Sequence, residues 1–166
     1  MEYHIRLAEV SDLDRILTIY AGARLFMAEN GNPNQWGTWN PPEWLLRDDI
    51  AKKQLYVMVS DDRIHGVFAF ILGEDPTYKV IEGQWGSDTP YGTIHRIAGD
   101  GSGGILHACV AYCSQTIGHL RIDTHKDNHV MQGAIRKEGF QYRGIIYIAD
   151  GSPRLAYDME PGRIGG

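Results

Sequence analysis

The chain has 166 residues, enough for one domain with a full hydrophobic core and too few for two. Hydrophobic residues make up 43% and charged residues 22%, so the composition excludes a disordered or low-complexity chain. The formal net charge of -5 argues against a broad surface for nucleic acid or an anionic membrane. We expect a single domain over residues 1–160 and a flexible tail over residues 161–166.

Nothing in the sequence predicts a membrane span or a leader. No apolar run approaches the roughly 18 residues that a spanning helix needs, and the start, Met-Glu-Tyr-His-Ile-Arg, lacks the basic and apolar regions of a signal peptide. We therefore expect a cytoplasmic protein. Cys109 and Cys113 are four residues apart in an apolar helical pattern, which favours reduced cysteines packed on one helix face over a disulfide.

The first half of the chain predicts a strand, two helices and a hairpin. Residues 3–7 alternate between apolar and polar side chains, and apolar residues then recur at helical spacing from 12 to about 28. A turn-rich stretch follows, and Pro41 and Pro42 open a short helix that runs to about Lys53. Two nearly continuous apolar runs, 55–59 and 64–72, then predict a central hairpin.

The second half alternates strands with helices and closes on another hairpin. After an irregular segment we predict a strand at 91–98, a buried helix at 105–117, a strand at 119–125 and a helix that Asp127 or Asn128 caps. The last two strands, 140–148 and 155–158, pair across a turn at Asp150-Gly151. The order β-α-α-β-β-β-α-β-α-β-β predicts a mixed α/β fold in which helices flank a mixed sheet.

A glycine-rich loop, Gly99-Asp-Gly-Ser-Gly-Gly104, joins a predicted strand to a predicted helix. Glycine lets backbone N–H groups approach an anion closely, and the helix N-terminus adds its positive dipole end, so the loop favours a phosphate group. The spacing also matches a dinucleotide fingerprint, with Asp123 at a suitable distance to meet a ribose. However, a dinucleotide fold begins with this fingerprint, whereas here a hairpin precedes it, so an NAD-binding domain is disfavoured.

Two stretches, together with this element order, are similar to the GNAT superfamily of acyl-coenzyme A N-acyltransferases. The first is His95-Arg-Ile-Ala98 followed by Gly103-Gly104-Ile105. The second runs from Arg121-Ile-Asp-Thr-His-Lys-Asp-Asn128 through Met131-Gln132 to Lys137-Glu-Gly-Phe140. The closing Gly144-Ile-Ile-Tyr147 resembles one bacterial branch of the family. The resemblance covers residues 3–159. It implies a mostly antiparallel sheet of about seven strands, about four flanking helices, and fourth and fifth strands that splay apart.

The resemblance implies an enzyme that transfers an acetyl group from acetyl-coenzyme A (acetyl-CoA) to a primary amine of a small or amino-acid-like acceptor by direct attack. In the family, the loop after the fourth strand holds the pyrophosphate, and a backbone N–H of that strand, here Ile97, faces the thioester carbonyl. Asn128 matches an asparagine that bonds the pantetheine arm or a catalytic water. The cofactor-binding residues carried over in this way are Ile97, Ala98, Gly101, Ser102, Gly103, Gly104, Ile105, Asn128 and Met131.

The sequence departs from the family pattern in the glycine-rich loop and in the last predicted helix. Gly101 stands where the family loop has Gln or Arg, and Leu106 stands where it has Gly or Ala. Many members also carry a tyrosine that protonates the departing thiolate, and Ile135 occupies that position here. Because this acid is missing, a domain that binds acyl-CoA as a sensor or scaffold without turnover remains an alternative.

Acyl transfer to an amine needs a base or a water chain, because a lysine-like amine has a pKa of about 10.4 and is mostly protonated at neutral pH. His125, at the end of the fifth predicted strand, is our first candidate, His95 is the second, and Glu82 could act through water. The predicted catalytic set consists of these two histidines, Asn128 and Ile97, whose backbone N–H would donate to the thioester carbonyl.

A metal site is a further alternative, because the sequence places several potential ligands close together: His119, Asp123, His125 and His129. Residues on one face of a strand are separated by roughly 6.6 Å, which is too far for a shared metal ion, so we expect no metal.

The resemblance also points to residues on the acceptor side. In the family, the loop after the first helix and the segment before the fourth strand border the acceptor. In this chain those regions contain Gln35, Trp36, Trp39, Glu82, Trp85 and Tyr91. The aromatic residues favour a small-molecule amine as the partner. Members of the family often pair through edge strands, so the resemblance also implies a homodimer.

Overall fold

The computed structural model describes residues 2–161, and of the predicted tail only Pro161 lies within them. Short 3-10 turns span Val10–Asp12 and Pro76–Tyr78. The strands and α-helices of the described residues are, in chain order, β1 (His4–Leu7), α1 (Leu13–Glu29), α2 (Glu43–Ala51), β2 (Leu55–Ser60), β3 (Arg63–Leu72), β4 (Glu82–Gly83), β5 (Gly92–Gly99), α3 (Ile105–Cys113), β6 (Leu120–Thr124), α4 (His129–Lys137), β7 (Gln141–Tyr147) and β8 (Pro153–Met159).

The strands form one eight-stranded sheet in the order β1-β2-β3-β5-β6-β8-β7-β4. Within this sheet β5 and β6 are parallel and the other neighbours are antiparallel. The predicted mixed fold is thereby confirmed, and the parallel sheet of a dinucleotide-binding domain is excluded. The extra strand, β4, is absent from the sequence prediction because it has only two residues. Among the described residues, no helix has the length and apolar character to span a bilayer.

Apolar side chains cover both faces of the sheet. On one face, α3 and α4 contribute Leu106, Cys109 and Ile135 to the largest buried cluster. Both cysteines are free and buried, as predicted. On the other face, α1 and α2 cover the half of the sheet that contains β2 and β3. The segment from residue 76 to 91 covers the half that contains β7 and β8. The second face is thus covered by two separate units, which leaves room between them near β5 and β6.

Strands β5 and β6 separate after two paired positions, at Gly92 and Thr93. Beyond them β5 pairs with β3 alone, and its register shifts between His95 and Ala98, which is the pattern of a β-bulge. At the bulge Arg96 adopts a left-handed backbone with φ of 52°. Because β6 no longer follows β5, the predicted splay of the fourth and fifth strands of the family is present.

Two contacts from the helical layer hold the bulge in place. The Arg96 guanidinium donates two hydrogen bonds of 2.9 Å to the carboxylate of Asp49 on α2. The Tyr20 hydroxyl of α1 donates to the Arg96 carbonyl at 2.6 Å. Asp49 is fully buried and also accepts from Gln54 at 2.8 Å, so its charge is paired and hydrogen-bonded. The separation of the strands is therefore tied to the packing of α1 and α2.

Asp49→Ala should destabilise the fold by about 3–5 kcal/mol, because it leaves the Arg96 guanidinium partly buried without its counter-ion. The free energy of unfolding in urea measures this loss. Asp48→Ala is the matched control, since Asp48 pairs with Lys52 on the exposed side of the same helix, where such a pair contributes at most about 0.5 kcal/mol. Equal losses in the two variants would contradict the structural role assigned to Asp49.

Candidate active site

A large cleft lies where β5 and β6 separate. Its volume is ≈ 1060 Å³, and it is lined mainly by apolar side chains. The end of β5 forms its floor, α1 forms one wall, and α4 with the start of α3 forms the other. A cleft of this size can bury most of an extended ligand while a few polar groups orient it.

One end of the cleft is the glycine loop that precedes α3. Gly101, Gly103 and Gly104 all have positive φ, between 71° and 92°, a conformation that residues with a Cβ rarely adopt. No side chain caps α3, so the N–H groups at its start are available to a ligand. The charged side chains that line the cleft include Arg15, which pairs with Asp100 at 3.1 Å, as well as Lys137 and Glu138. These features suit a phosphate or diphosphate group.

Asp100 holds the loop in this shape. Its carboxylate accepts hydrogen bonds from the Ser102 amide at 3.0 Å and hydroxyl at 2.6 Å, and it contacts His65 at 2.8 Å and Arg15 at 3.1 Å. Burial alone would raise the pKa of Asp100, but the bonds from Ser102 and His65 outweigh it and hold the pKa below its usual value. Ser102 is not among the residues that line the cleft, because its hydroxyl is turned to Asp100.

The structure brings most of the predicted cofactor-binding residues to this one cleft. The residues concerned are Ile97, Ala98, Gly101, Gly103, Gly104, Ile105, Asn128 and Met131. The wall formed by α1 is missing from the sequence prediction, since its helical periodicity indicates only packing on the sheet. Ile135, at the position of the family's tyrosine, is fully buried in the core, so it supplies no acid to the cleft.

A chain of side-chain amides connects the start of α4 to the loop after α1. Asn128 Oδ1 accepts from the Met131 amide at 3.0 Å and thus caps α4, as predicted. Asn128 Nδ2 then donates to Gln35 Oε1 at 2.9 Å, and Asn32 Nδ2 donates to the same oxygen at 2.9 Å. Asn32 is 2% exposed, and its Oδ1 has no partner among the described residues. A buried acceptor without a partner costs about 1–3 kcal/mol.

A polar cluster, defined by Asp75, Tyr78, His95 and Asp123, lies on the sheet face opposite α3 and α4. His95 Nε2 contacts Asp75 Oδ2 at 2.8 Å, and the Tyr78 hydroxyl donates to Asp123 Oδ2 at 2.6 Å. Burial would raise the pKa of Asp75, but the bond to His95 outweighs it and lowers the pKa below its usual value. The cluster therefore contains a histidine whose ring is oriented by a carboxylate, an arrangement used in acid–base catalysis.

His125 has a different environment. Its Nδ1 accepts a hydrogen bond from the Asp127 amide at 3.0 Å, and, like His95, it is not among the residues that line the cleft. Burial, followed by the nearby charge of Arg154, lowers its pKa, so the ring is neutral over a wider pH range. In the neutral ring Nδ1 is the lone-pair nitrogen, and that lone pair already binds the Asp127 N–H.

The predicted acceptor-side residues divide into two groups. Gln35 belongs to the amide chain, and Trp36 packs edge-on against Tyr20 with ring centroids 5.6 Å apart. Trp85 and Tyr91 form the second group. The centroids of their rings lie 4.0 and 3.8 Å from the guanidinium carbon of Arg121. Trp39 is exposed, and Glu82 lies in the edge strand β4. The structure thus does not gather all six in one aromatic pocket.

The residues considered for a metal site have separate partners. His119 contacts Asp158 at 2.9 Å inside the core, whereas Asp123 binds Tyr78 and His125 binds the Asp127 amide. Within residues 2–161 no group of three or more histidine, cysteine, aspartate or glutamate side chains is placed to hold a metal ion.

No family model and no curated protein sequence matches the chain. Solved structures do match it. A GNAT-family acetyltransferase from Streptococcus agalactiae is 30% identical, with a TM-score of 0.83 over 95% of this chain and 94% of its own. A GNAT-family acetyltransferase from Listeria monocytogenes is 15% identical, with a TM-score of 0.71 over 96% and 95%. An N-acetyltransferase from Staphylococcus aureus is 17% identical, with a TM-score of 0.60 over 96% and 99%. The last two matches establish a common fold.

Asp158→Asn should loosen the segment that covers the polar cluster. Asp158 is fully buried and binds His119, Arg143 and the Gly86 amide, so we expect a loss of about 3–5 kcal/mol at pH 7.

The pH dependence of the unfolding free energy gives the second part of this prediction. Burial raises the pKa of Asp158, but its hydrogen bonds lower it below the usual value overall. The stability from its ionisation is therefore present above the unfolded pKa of about 3.9 and is lost as the pH falls through the lower folded pKa. The difference in unfolding free energy between the unmodified protein and Asp158→Asn should therefore shrink below about pH 4. A constant difference, or an equal loss in the exposed control Asp88→Asn, would contradict this role.

Proposed function

The chain belongs to the GNAT superfamily of acetyltransferases, and on that premise we propose that it transfers an acetyl group from acetyl-CoA to a primary amine of a small acceptor by direct attack. The observation that carries the proposal is the cleft at the separation of β5 and β6, which runs from the glycine loop to the amide chain. The family supplies the reaction type, and this chain's own residues indicate how it would be performed.

The residues of the cleft fit acetyl-CoA, which supplies the activated thioester. The backbone N–H groups of Gly101, Gly103, Gly104 and Ile105 would bind the diphosphate, because the glycines carry no Cβ that would keep it away, whereas the Ser102 N–H already donates to Asp100. The pantetheine arm would lie along the free edge of β5. Ile97 falls in the bulge, outside the register with β3, so its N–H is our candidate donor to the thioester carbonyl.

For the base, the geometry favours His95 over His125. The lowered pKa of Asp75 keeps that carboxylate ionised, so His95 Nε2 carries the proton that faces it. In the neutral ring the Nδ1 lone pair is then available to take a proton from the acceptor amine. In His125 the corresponding lone pair binds a backbone amide. We therefore assign proton removal to His95, directly or through water.

The thiolate would leave without help from the position of the family's tyrosine, since Ile135 is fully buried and apolar. The thiol of coenzyme A has a low enough pKa to be a good leaving group, so the absence of this acid is compatible with turnover. The same absence is the observation that favours the second candidate function, a domain that binds acyl-CoA without turning it over.

Release of free thiol from acetyl-CoA decides between these two functions. We expect turnover with at least one primary amine from a panel of phenethylamine, tyramine, putrescine and lysine. The rate should exceed the background hydrolysis seen without amine. Saturable acetyl-CoA binding with no amine-dependent thiol release would instead identify a sensor or scaffold.

Gly103→Ala should weaken acetyl-CoA binding by about tenfold or more, because an alanine relaxes from the left-handed conformation and turns the loop amides away from the phosphates. Gly151→Ala is the matched control. Gly151 has φ of 85° against 84° for Gly103, and both sites have open space for a Cβ, but Gly151 lies in the distant β7–β8 turn. Both variants should lose about 1 kcal/mol of stability, and only Gly103→Ala should bind the cofactor less tightly. Equal affinities would refute phosphate binding by the loop.

His95→Gln should lower kcat by about 10²–10⁴-fold with little change in acetyl-CoA affinity, because it removes the proton acceptor and leaves the cleft intact. His125→Gln should change kcat far less. The pH dependence of kcat/KM for the two variants and the unmodified protein tests this assignment. A large loss in His125→Gln with a mild one in His95→Gln would restore His125 as the base.

A further inference from the structure

His65 lies behind the glycine loop, at an irregular position of β3. It falls between Ile64 and Gly66, where the register with β2 shifts. This is the pattern of a β-bulge, which changes the direction of a side chain relative to the sheet. The His65 carbonyl accepts a hydrogen bond from the Asp100 amide at 2.9 Å, and the His65 ring contacts the Asp100 carboxylate. His65 therefore binds the start of the loop through both its backbone and its side chain.

Both ring nitrogens of His65 face oxygen atoms that accept hydrogen bonds. Nδ1 lies 2.8 Å from Asp100 Oδ2, and Nε2 lies 3.2 Å from the Ser60 carbonyl oxygen. A backbone carbonyl cannot donate, and Asp100 is ionised, because its hydrogen bonds outweigh burial and hold its pKa below the usual value. The imidazolium form carries a proton on both nitrogens, so it alone makes both hydrogen bonds. In either neutral form a nitrogen lone pair would face an oxygen.

The Ser102 hydroxyl is compatible with this protonation state. It lies 3.1 Å from His65 Nδ1, but its proton goes to Asp100 Oδ1 at 2.6 Å, so Ser102 Oγ also faces the ring as an acceptor. Asp100 and Ser102 contact the same ring nitrogen, whereas in a nucleophilic triad the carboxylate and the hydroxyl contact opposite nitrogens. The cluster of His65, Asp100 and Ser102 therefore does not activate a nucleophile, and its contacts hold the loop.

The other groups around His65 keep their charge when the histidine changes its own. Arg15 of α1 pairs with Asp100 at 3.1 Å, and a guanidinium is a permanent cation. The ring of Tyr3 lies 6.1 Å from that of His65, and burial, followed by the charge of Asp100, raises the pKa of this phenol, so it stays neutral. With His65 protonated, two cations surround one carboxylate beside the loop. This net positive charge is lost when the proton leaves.

We propose that protonated His65 is a positioning residue for the glycine loop and that tight binding of acetyl-CoA requires its proton. The proposal rests on the proposed binding of acetyl-CoA in the cleft. His65 is not among the residues that line the cleft, so it acts through Asp100, which in turn fixes the Ser102 amide between the phosphate-binding glycines. When the proton leaves, one contact of the ring is lost and the positive charge near the phosphates falls. The affinity for acetyl-CoA should therefore fall as the pH rises, and binding should take up protons.

The dissociation constant of acetyl-CoA tests the proposal when it is measured by isothermal titration calorimetry from about pH 5.5 to about pH 8, where a histidine changes its charge. We expect the affinity of the unmodified protein to fall by about tenfold more over this range than the affinity of His65→Gln. The comparison cancels the titration of the cofactor's own 3′-phosphate, because both proteins bind the same compound.

His107→Gln is the matched control. His107 lies in the first turn of α3 and lines the cleft, but its ring contacts Glu138 of the segment after α4 rather than the loop. This variant should keep the pH dependence of the unmodified protein. An equal pH dependence in the unmodified protein and in His65→Gln, or one that disappears only in His107→Gln, would overturn the proposal.

If His65→Gln does not fold, Asp100→Asn tests the same point. An amide can donate to a neutral ring as well as accept from a charged one, so the protonated form of His65 is no longer selected. The affinity of Asp100→Asn should change much less with pH, and a slope equal to that of the unmodified protein would contradict the proposal. If the unmodified protein binds no acetyl-CoA at any pH, the proposed function fails as well, which distinguishes that result from binding that does not depend on His65.

Discussion

Strands β5 and β6 pair at only two positions, and the cleft exists because they separate beyond Thr93. The loss of backbone hydrogen bonds within a sheet is unfavourable, because each buried N–H or C=O group left unpaired raises the free energy of the folded state. Here the bulge at Arg96 diverts β5, and the buried carboxylate of Asp49 and the hydroxyl of Tyr20 hold the bulge from the helical layer. The opening in the sheet is thus maintained by contacts between β5 and the helical layer.

The parts of the site that depend on local sequence could be predicted. The glycine loop follows from residue type alone, because positive φ at Gly101, Gly103 and Gly104 is accessible to glycine and to few other residues. The cap by Asn128 is also local, since its side chain reaches the Met131 amide three residues ahead. For the same reason the strands and helices around these residues lie within a few positions of their predicted bounds.

The parts that depend on long-range contacts could not be predicted from the residues. Asp75 and His95 are 20 positions apart, and Gln35 and Asn128 are 93 apart, so no spacing rule brings either pair together. In the sequence His95 ranks behind His125, which ends its predicted strand. Their partners in the structure reverse this order, because a carboxylate orients His95 and a backbone amide binds the Nδ1 lone pair of His125.

The predicted aromatic pocket shows a further limit of sequence reasoning. Trp85 and Tyr91 enclose Arg121 rather than a ligand, because a buried guanidinium finds favourable contacts on aromatic faces. In the structure these two rings therefore already contact a side chain of the protein itself.

Isothermal titration calorimetry of the unmodified protein with acetyl-CoA tests the central claim most directly. The account predicts saturable heat with one cofactor per chain. It also predicts loss of that heat when pantetheine, which lacks the diphosphate that the loop amides would bind, replaces acetyl-CoA at the same concentration. No heat with acetyl-CoA, or equal affinity for the two compounds, would contradict the assignment of the cleft and leave only the fold in place.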